Sequence, residues 1–203
     1  MATNTDKKKN PEFILKNVRL SFPHIFEPKA IGDGVPRYTA NFLLDPADAE
    51  HKDLIRKIRD AANALYAEGT RKPDAKPKAA NCALKKGNDE DGAELYSGYD
   101  RMWFVSAARA QKQGAPLVVD RDKTVLTADT TKVYAGCYVN AKIRLYFHEY
   151  DGVKRVNASI EAIQFYKKGD PFGNGPASAD GFEEVEGEED GLDSDSGSDD
   201  DDL

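Results

Sequence analysis

The chain has 203 residues, enough for one domain of ordinary size with extensions. Hydrophobic residues make up 39% and charged residues 32%, too little apolar content for a chain packed throughout, so part of it is expected not to fold. Of the 36 acidic residues, 13 lie between Asp180 and Leu203, a stretch with no Lys or Arg; the other 23 face all 29 bases, so the net charge of −7 divides into a body of +6 and a tail of −13. A basic body fits a nucleic acid or another polyanion.

Two cysteines, Cys82 and Cys137, are too few for a disulfide framework or a zinc site and suit a reducing cytoplasm. The opening MATNTDKKKN has no apolar core of a signal peptide. No stretch approaches the roughly 20 apolar residues of a membrane span.

Residues 1–10 are polar and expected to be mobile. Phe13 to Phe22 reads as a strand, with a turn at Pro23. Residues 31–36 (IGDGVP) form a Gly/Pro turn. Arg37 to Leu44 alternates, with Tyr38, Ala40, Phe42 and Leu44 on one face. Asp45-Pro46-Ala47-Asp48 then opens a helix, Asp45 capping it and Pro46 in the first turn. Leu54, Ile58, Ala61, Ala62 and Leu65 recur at helical spacing, and Gly69 is a natural stop. Residues 70–98 read as loops around a short strand near Cys82-Ala83-Leu84. Arg101 to Arg109 and Pro116 to Asp120 read as strands. Val133 to Tyr150 and Val153 to Tyr166 form a long hairpin about the Asp151-Gly152 turn.

This order predicts a mostly β protein: an OB-fold, that is a Greek-key barrel, with one amphipathic helix and long loops. A β-sandwich is the alternative architecture. The expected domains are a disordered N-terminus (1–10), the barrel (11–168), a linker (169–179) and a disordered acidic tail (180–203).

Tyr138 to Phe147 is the most informative segment. Val139, Ala141, Ile143, Leu145 and Phe147 share one face; Tyr138, Asn140, Lys142, Arg144 and Tyr146 share the other. The second face combines rings that can stack on unpaired bases with cations that can neutralise phosphates. Arg101, Trp103 and Arg109 form a second candidate by the same parity. Tyr150, Lys154 and Arg155 place a further ring and two cations near the hairpin tip. A solvated strand face, a core tryptophan and a solvated turn are the plain alternatives.

Catalytic patterns are weak. His24, His51 and His148 lack partners at ligand spacing, and Asp120 and Asp122 flanking Arg121 fit a turn better than the metal site of a nuclease. Gly32 and Gly34 lack a phosphate-loop context. Neither an enzyme nor a metal or other cofactor is expected.

The strings FILKNVRLSFPHIFEPK, PLVVDRD, VYAGCYVNAKI and IQFYKKGDPFG, within residues 12–175, resemble a family of phage single-stranded-DNA-binding proteins of the Enc34 type, formerly a domain of unknown function. The resemblance implies an OB-fold that binds single-stranded DNA in phage replication, recombination or repair, in the host bacterial cytoplasm. The tail ends in Leu203, where the functionally similar acidic-tailed binding proteins of short-tailed coliphages and of bacteria carry an aromatic residue.

The expected partners are single-stranded DNA, duplex DNA weakly once the tail is gone, replication proteins through the tail, and a second copy in a homodimer. The tail is expected to compete with DNA for the basic body. An acidic-tailed interaction protein, acting as a DNA mimic or as chaperone of a basic partner, is the alternative.

Overall fold

The computed structural model describes residues 10–30, 32 and 34–172. The expected tail, most of the linker and nearly all of the N-terminal segment lie outside the described residues.

The strands are β1 (Glu12–Lys29), β2 (Arg37–Leu44), β3 (Leu84–Lys86), β4 (Trp103–Ala110), β5 (Leu117–Val119), β6 (Tyr138–Tyr150) and β7 (Val153–Lys167); the helix α1 spans Ala49–Thr70. Their order is β3-β4-β2-β1-β6-β7-β5. A parallel pairing of Ala107 on β4 with Ala158 on β7 closes β4, β2, β1, β6 and β7 into a five-stranded barrel. The architecture is the mostly β, OB-type barrel with one helix that the sequence predicts. No helix of the described residues is long and apolar enough to cross a membrane.

Strand β1 continues through Pro23, where the sequence predicts a turn. Three register breaks interrupt its pairing, Leu15 to Val18, Ser21 to His24 and His24 to Lys29, and Pro23 sits in the second. Proline is tolerated at a bulge because no ladder hydrogen bond is asked of it. The bulges also bend β1, so its first half pairs with β6 and its second half with β2.

The helix is capped by Asp48, not Asp45: the Asp48 carboxylate accepts from the backbone N–H of Glu50 at 2.8 Å and of His51 at 3.0 Å. Asp45 instead closes the preceding turn on Ala47 N–H. Nor does Gly69 end the helix. The chain turns at Arg71, which adopts left-handed backbone (φ 56°). Gly69 stays within the helix, and its lack of a side chain makes room for the Phe147 ring, which a Cβ would approach to 2.4 Å.

Val139, Ala141, Ile143 and Leu145 are fully buried, as the alternation of β6 requires, and join Leu15, Leu20, Phe42, Val105 and Ile160 in one core. Ile55, Ile58 and Ala62 bury the apolar stripe of α1 against it. Asp151 (φ 49°) and Gly152 (φ 70°) both take left-handed backbone, the geometry of a two-residue hairpin turn that keeps the strands' twist. Residues 169–172, the start of the expected linker, are seated on the barrel: Gly169 N–H donates to the Tyr134 hydroxyl at 3.2 Å, and Phe172 N–H donates to Ala135 C=O at 3.0 Å.

Candidate nucleic-acid interface

The outward face of β6 carries Tyr138, Asn140, Lys142, Arg144 and Tyr146, all half-buried. Register shows what surrounds them, because directly opposed residues share a face. On the β1 side, Arg19 opposes Tyr138, Ile14 opposes Lys142 and Glu12 opposes Arg144. On the β7 side, Lys167 opposes Tyr138, Gln164 opposes Asn140 and Asn157 opposes Tyr146.

The middle of the face is neutralised from within. Lys142 Nζ lies 3.0 Å from Glu12 Oε2, and Arg144 Nη2 lies 2.5 Å from Glu161 Oε1. Asn140 accepts from Asn17 N–H at 3.0 Å and donates to Gln164 Oε1 at 3.1 Å. These groups fix the strands against one another and leave a weak local field.

The Tyr138 end differs. Lys167 Nζ sits 4.6 Å from the centroid of the Tyr138 ring and 5.9 Å from that of Tyr166. The Arg19 guanidinium donates to Gly136 C=O at 3.3 Å and Asp170 C=O at 2.6 Å, and stacks 4.0 Å over Phe172. Neither cation forms an ion pair with a carboxylate among the described residues. Both therefore keep their full charge beside a half-exposed ring, the pairing that single-stranded nucleic acid requires. A cavity of about 400 Å³ opens here, lined by Arg19, Tyr138, Lys167, Asn17 and Met102 together with the carboxylates of Asp45, Asp48 and Asp100.

The second candidate group is split apart. Arg101 precedes β4 in left-handed backbone (φ 56°), its side chain exposed beside Asp100. Trp103 is partly buried against the core, 6.0 Å from Lys86 Nζ, and borders a cavity of about 520 Å³ with Lys52, Arg56 and Arg59 of α1. Arg109 points at Glu161 (3.1 Å) and donates to Gly114 C=O and Gln113 C=O. The three do not share one outward face: the strand begins only at Trp103, and Val105 and Ala107, between Trp103 and Arg109 on the same parity, are buried in the core.

At the hairpin tip Tyr150 is exposed and stacked on His148 (centroids 6.4 Å apart, 13° between planes). Arg155 is exposed opposite His148, and Lys154 lies 3.9 Å from Glu149. Asp120 and Asp122 belong to a turn: Asp120 is paired with Lys132, and Asp122 accepts from Thr124 N–H at 2.9 Å. No group of three or more His, Cys, Asp or Glu able to hold a metal is present among the described residues.

Arg19 and Lys167 escape a reading of single strands, since only cross-strand register brings them to Tyr138. Phe22 and Tyr96 escape it as well. Both are exposed, and their rings meet edge to face at 4.9 Å.

The family model for the single-stranded-DNA-binding protein of Enterobacter phage Enc34 matches residues 11–192. The chain belongs to this family. It is also 36% identical over 178 residues to the putative protein p50 of Acyrthosiphon pisum secondary endosymbiont phage 1, a match covering 84% of this chain and 92% of that one. The fold resembles that of the Enc34 single-stranded-DNA-binding protein in complex with single-stranded DNA, at a TM-score of 0.68 and 24% identity over 80% of this chain and 89% of the other. It resembles more distantly the gp2.5 single-stranded-DNA-binding protein of bacteriophage T7, with a TM-score of 0.55 and 12% identity over 87% of this chain and all of that one.

Proposed function

We propose that this chain binds single-stranded DNA without sequence preference, in phage replication, recombination or repair inside the host bacterium. The observation that carries the reading is the Tyr138, Arg19 and Lys167 cluster, an accessible ring between two cations, neither ion-paired with a carboxylate among the described residues. Membership of the Enc34 family supports it. Tyr138 stacks a base; Arg19 and Lys167 neutralise phosphates on either side. Tyr146, Tyr150, Lys154 and Arg155 extend the track toward the hairpin tip. Lys142 and Arg144 contribute less, because Glu12 and Glu161 already balance them. The acidic tail competes with DNA for this surface and recruits replication proteins.

The test is a titration of full-length protein with labelled poly-dT. Tyr138→Ala should weaken binding roughly ten-fold, in line with about 1–3 kcal/mol per base–aromatic stack. Lys167→Ala should also reduce the dependence on salt, by about one unit of log–log slope for a lost phosphate contact. Unchanged affinity in both variants, with melting temperatures intact, would place the binding surface elsewhere.

A further inference from the structure

Phe22 is a residue under strain with no core to justify it. Its φ of 47° lies in the left-handed region, which a bulky side chain occupies only at a cost. Its ring does not repay that cost by burial, being 47% exposed. The strain coincides with the β1 register break between Ser21 and His24, immediately before Pro23. Bulges re-aim side chains, and this one turns the ring out of the sheet toward Tyr96.

Tyr96 is 48% exposed, yet its backbone is held. The neighbouring Leu95 N–H donates to Gly87 C=O at 2.8 Å, and Tyr99 N–H donates to Tyr96 C=O at 3.0 Å. Tyr99 is buried below and accepts from Asn41 Nδ2 at 3.0 Å. Across the sheet from the bulge, Ser21, Asn41 and Ser106 lie in one row of the register and His24, Thr39 and Ala108 in the next. Two positioned rings thus stand at the edge of a sheet surface that carries, His24 apart, only short side chains in these rows. Tyr99 lies 6.5 Å from Phe22 and 6.5 Å from Phe172, which Arg19 covers, so the aromatic band runs on to the Arg19 and Tyr138 cluster.

We infer that Phe22 and Tyr96 form a second stacking platform for unpaired nucleobases of the same DNA strand, reached after it crosses Arg19. The inference rests on the single-stranded-DNA reading of the Tyr138 end. The platform binds bases and not phosphates. Two of its loop's carboxylates are turned to holding the loop: Glu94 accepts from Gly98 N–H at 3.1 Å, and Asp89 accepts from Ala93 N–H at 2.8 Å.

The decisive variant is Phe22→Gly. Glycine takes positive φ freely, so the change removes the ring and the strain together. Full-length Phe22→Gly should melt no lower than the parent while binding labelled poly-dT about ten-fold more weakly; adding Tyr96→Ala should deepen the loss. The salt slope should stay at its parental value, unlike that of Lys167→Ala. Phe22→Trp, keeping a ring, should retain binding. Parental affinity in the double variant, with Tyr138→Ala still weakened, would overturn the platform alone. Loss of self-association at parental affinity, measured by sedimentation, would assign the pair to a contact between copies and also overturn it. Parental affinity in all the variants would instead bring down the underlying reading.

Discussion

Arg144 grips Glu161 with two nitrogens: Nη2 lies 2.5 Å and Nε 3.1 Å from the same carboxylate oxygen. The other oxygen of Glu161 takes Arg109 Nη1 at 3.1 Å. One carboxylate therefore ties β4, β6 and β7 together and balances two cations that parity alone assigns to DNA. Glu161 lies between the paired residues Ile160 and Ala162, where the β6–β7 register shifts, so the alternation of β7 does not foretell its direction.

Glu161→Gln should lower stability by about 1–2 kcal/mol, since two half-buried guanidinium groups lose their anion. Burial works to raise the Glu161 pKa, but the hydrogen bond and charge of Arg144, with the charge of Arg109, outweigh it and hold the group below the ordinary glutamate range. A lowered folded pKa means that the unfolded chain binds the proton more readily. The contribution is thus complete above pH ~4.3, the ordinary glutamate value, and disappears as pH falls through the folded pKa. Chemical denaturation across an acid pH series should show the parent losing this increment while Glu161→Gln does not. The same variant should bind poly-dT with a steeper salt dependence, because Arg109 and Arg144 gain net charge.

Deleting residues 180–203 should tighten single-stranded-DNA binding, most strongly at low salt. The removed segment carries 13 acidic residues and no base, tethered to a body of +6, and under the proposed competition it would meet the cationic surface at high effective concentration. Both the tail contact and the DNA contact are screened as salt rises, so the two curves should converge. Parallel titrations that never separate would remove the tail from the binding equilibrium. A tail-deleted protein that binds no DNA would favour the view that the tail is the working part.

The legibility of this chain follows the regularity of its strands. Strand β6 is unbroken over the segment that matters, so Val139 to Leu145 and Tyr138 to Tyr146 sort correctly by alternation. Asp151-Gly152 encodes its turn in two residues. Strand β1 hides its role because three register breaks disturb the period, with Arg19 set beside Tyr138 and Phe22 turned outward. The sequence assigns the helix cap to Asp45, but Asp48 takes it because its carboxylate reaches two free N–H groups. Charges paired with Glu12 and Glu161 look the same in sequence as those of Arg19 and Lys167, which form no ion pair among the described residues. Only register separates them.

Gly69→Ala reverses a common rule. Alanine inside a helix ordinarily stabilises by about 0.5–1 kcal/mol over glycine. Here the new methyl would lie 2.4–2.5 Å from three carbons of the Phe147 ring, which also packs edge to face on Tyr66 at 6.1 Å. Overpacking of this kind costs about 1–3 kcal/mol. The variant should melt below the parent, and adding Phe147→Leu should recover part of the loss. A higher melting temperature for Gly69→Ala alone would show that the ring moves aside freely.

Gly98→Ala tests how residues 169–172 are held. Gly98 has φ +84°, and a Cβ there would come 2.4 Å from Phe172 Cε1. The substitution is doubly costly, through backbone strain and through eviction of a ring that packs with Leu43, Tyr99 and Phe104 beneath Arg19. Phe172→Ala should cost about 1–3 kcal/mol, less than a fully buried phenylalanine because the ring is only partly enclosed. Once that ring is gone, the steric part of the Gly98→Ala penalty has no target. The double variant should therefore be more stable than the two single losses summed, by a coupling of about 0.5–1.5 kcal/mol in thermal or urea denaturation. Affinity for poly-dT should not fall in Phe172→Ala, since the Arg19 guanidinium loses a ring and keeps its charge. Strict additivity would mean that Gly98 is required for its backbone alone, and that the Phe172 ring is seated by Arg19 and Tyr99 without its help.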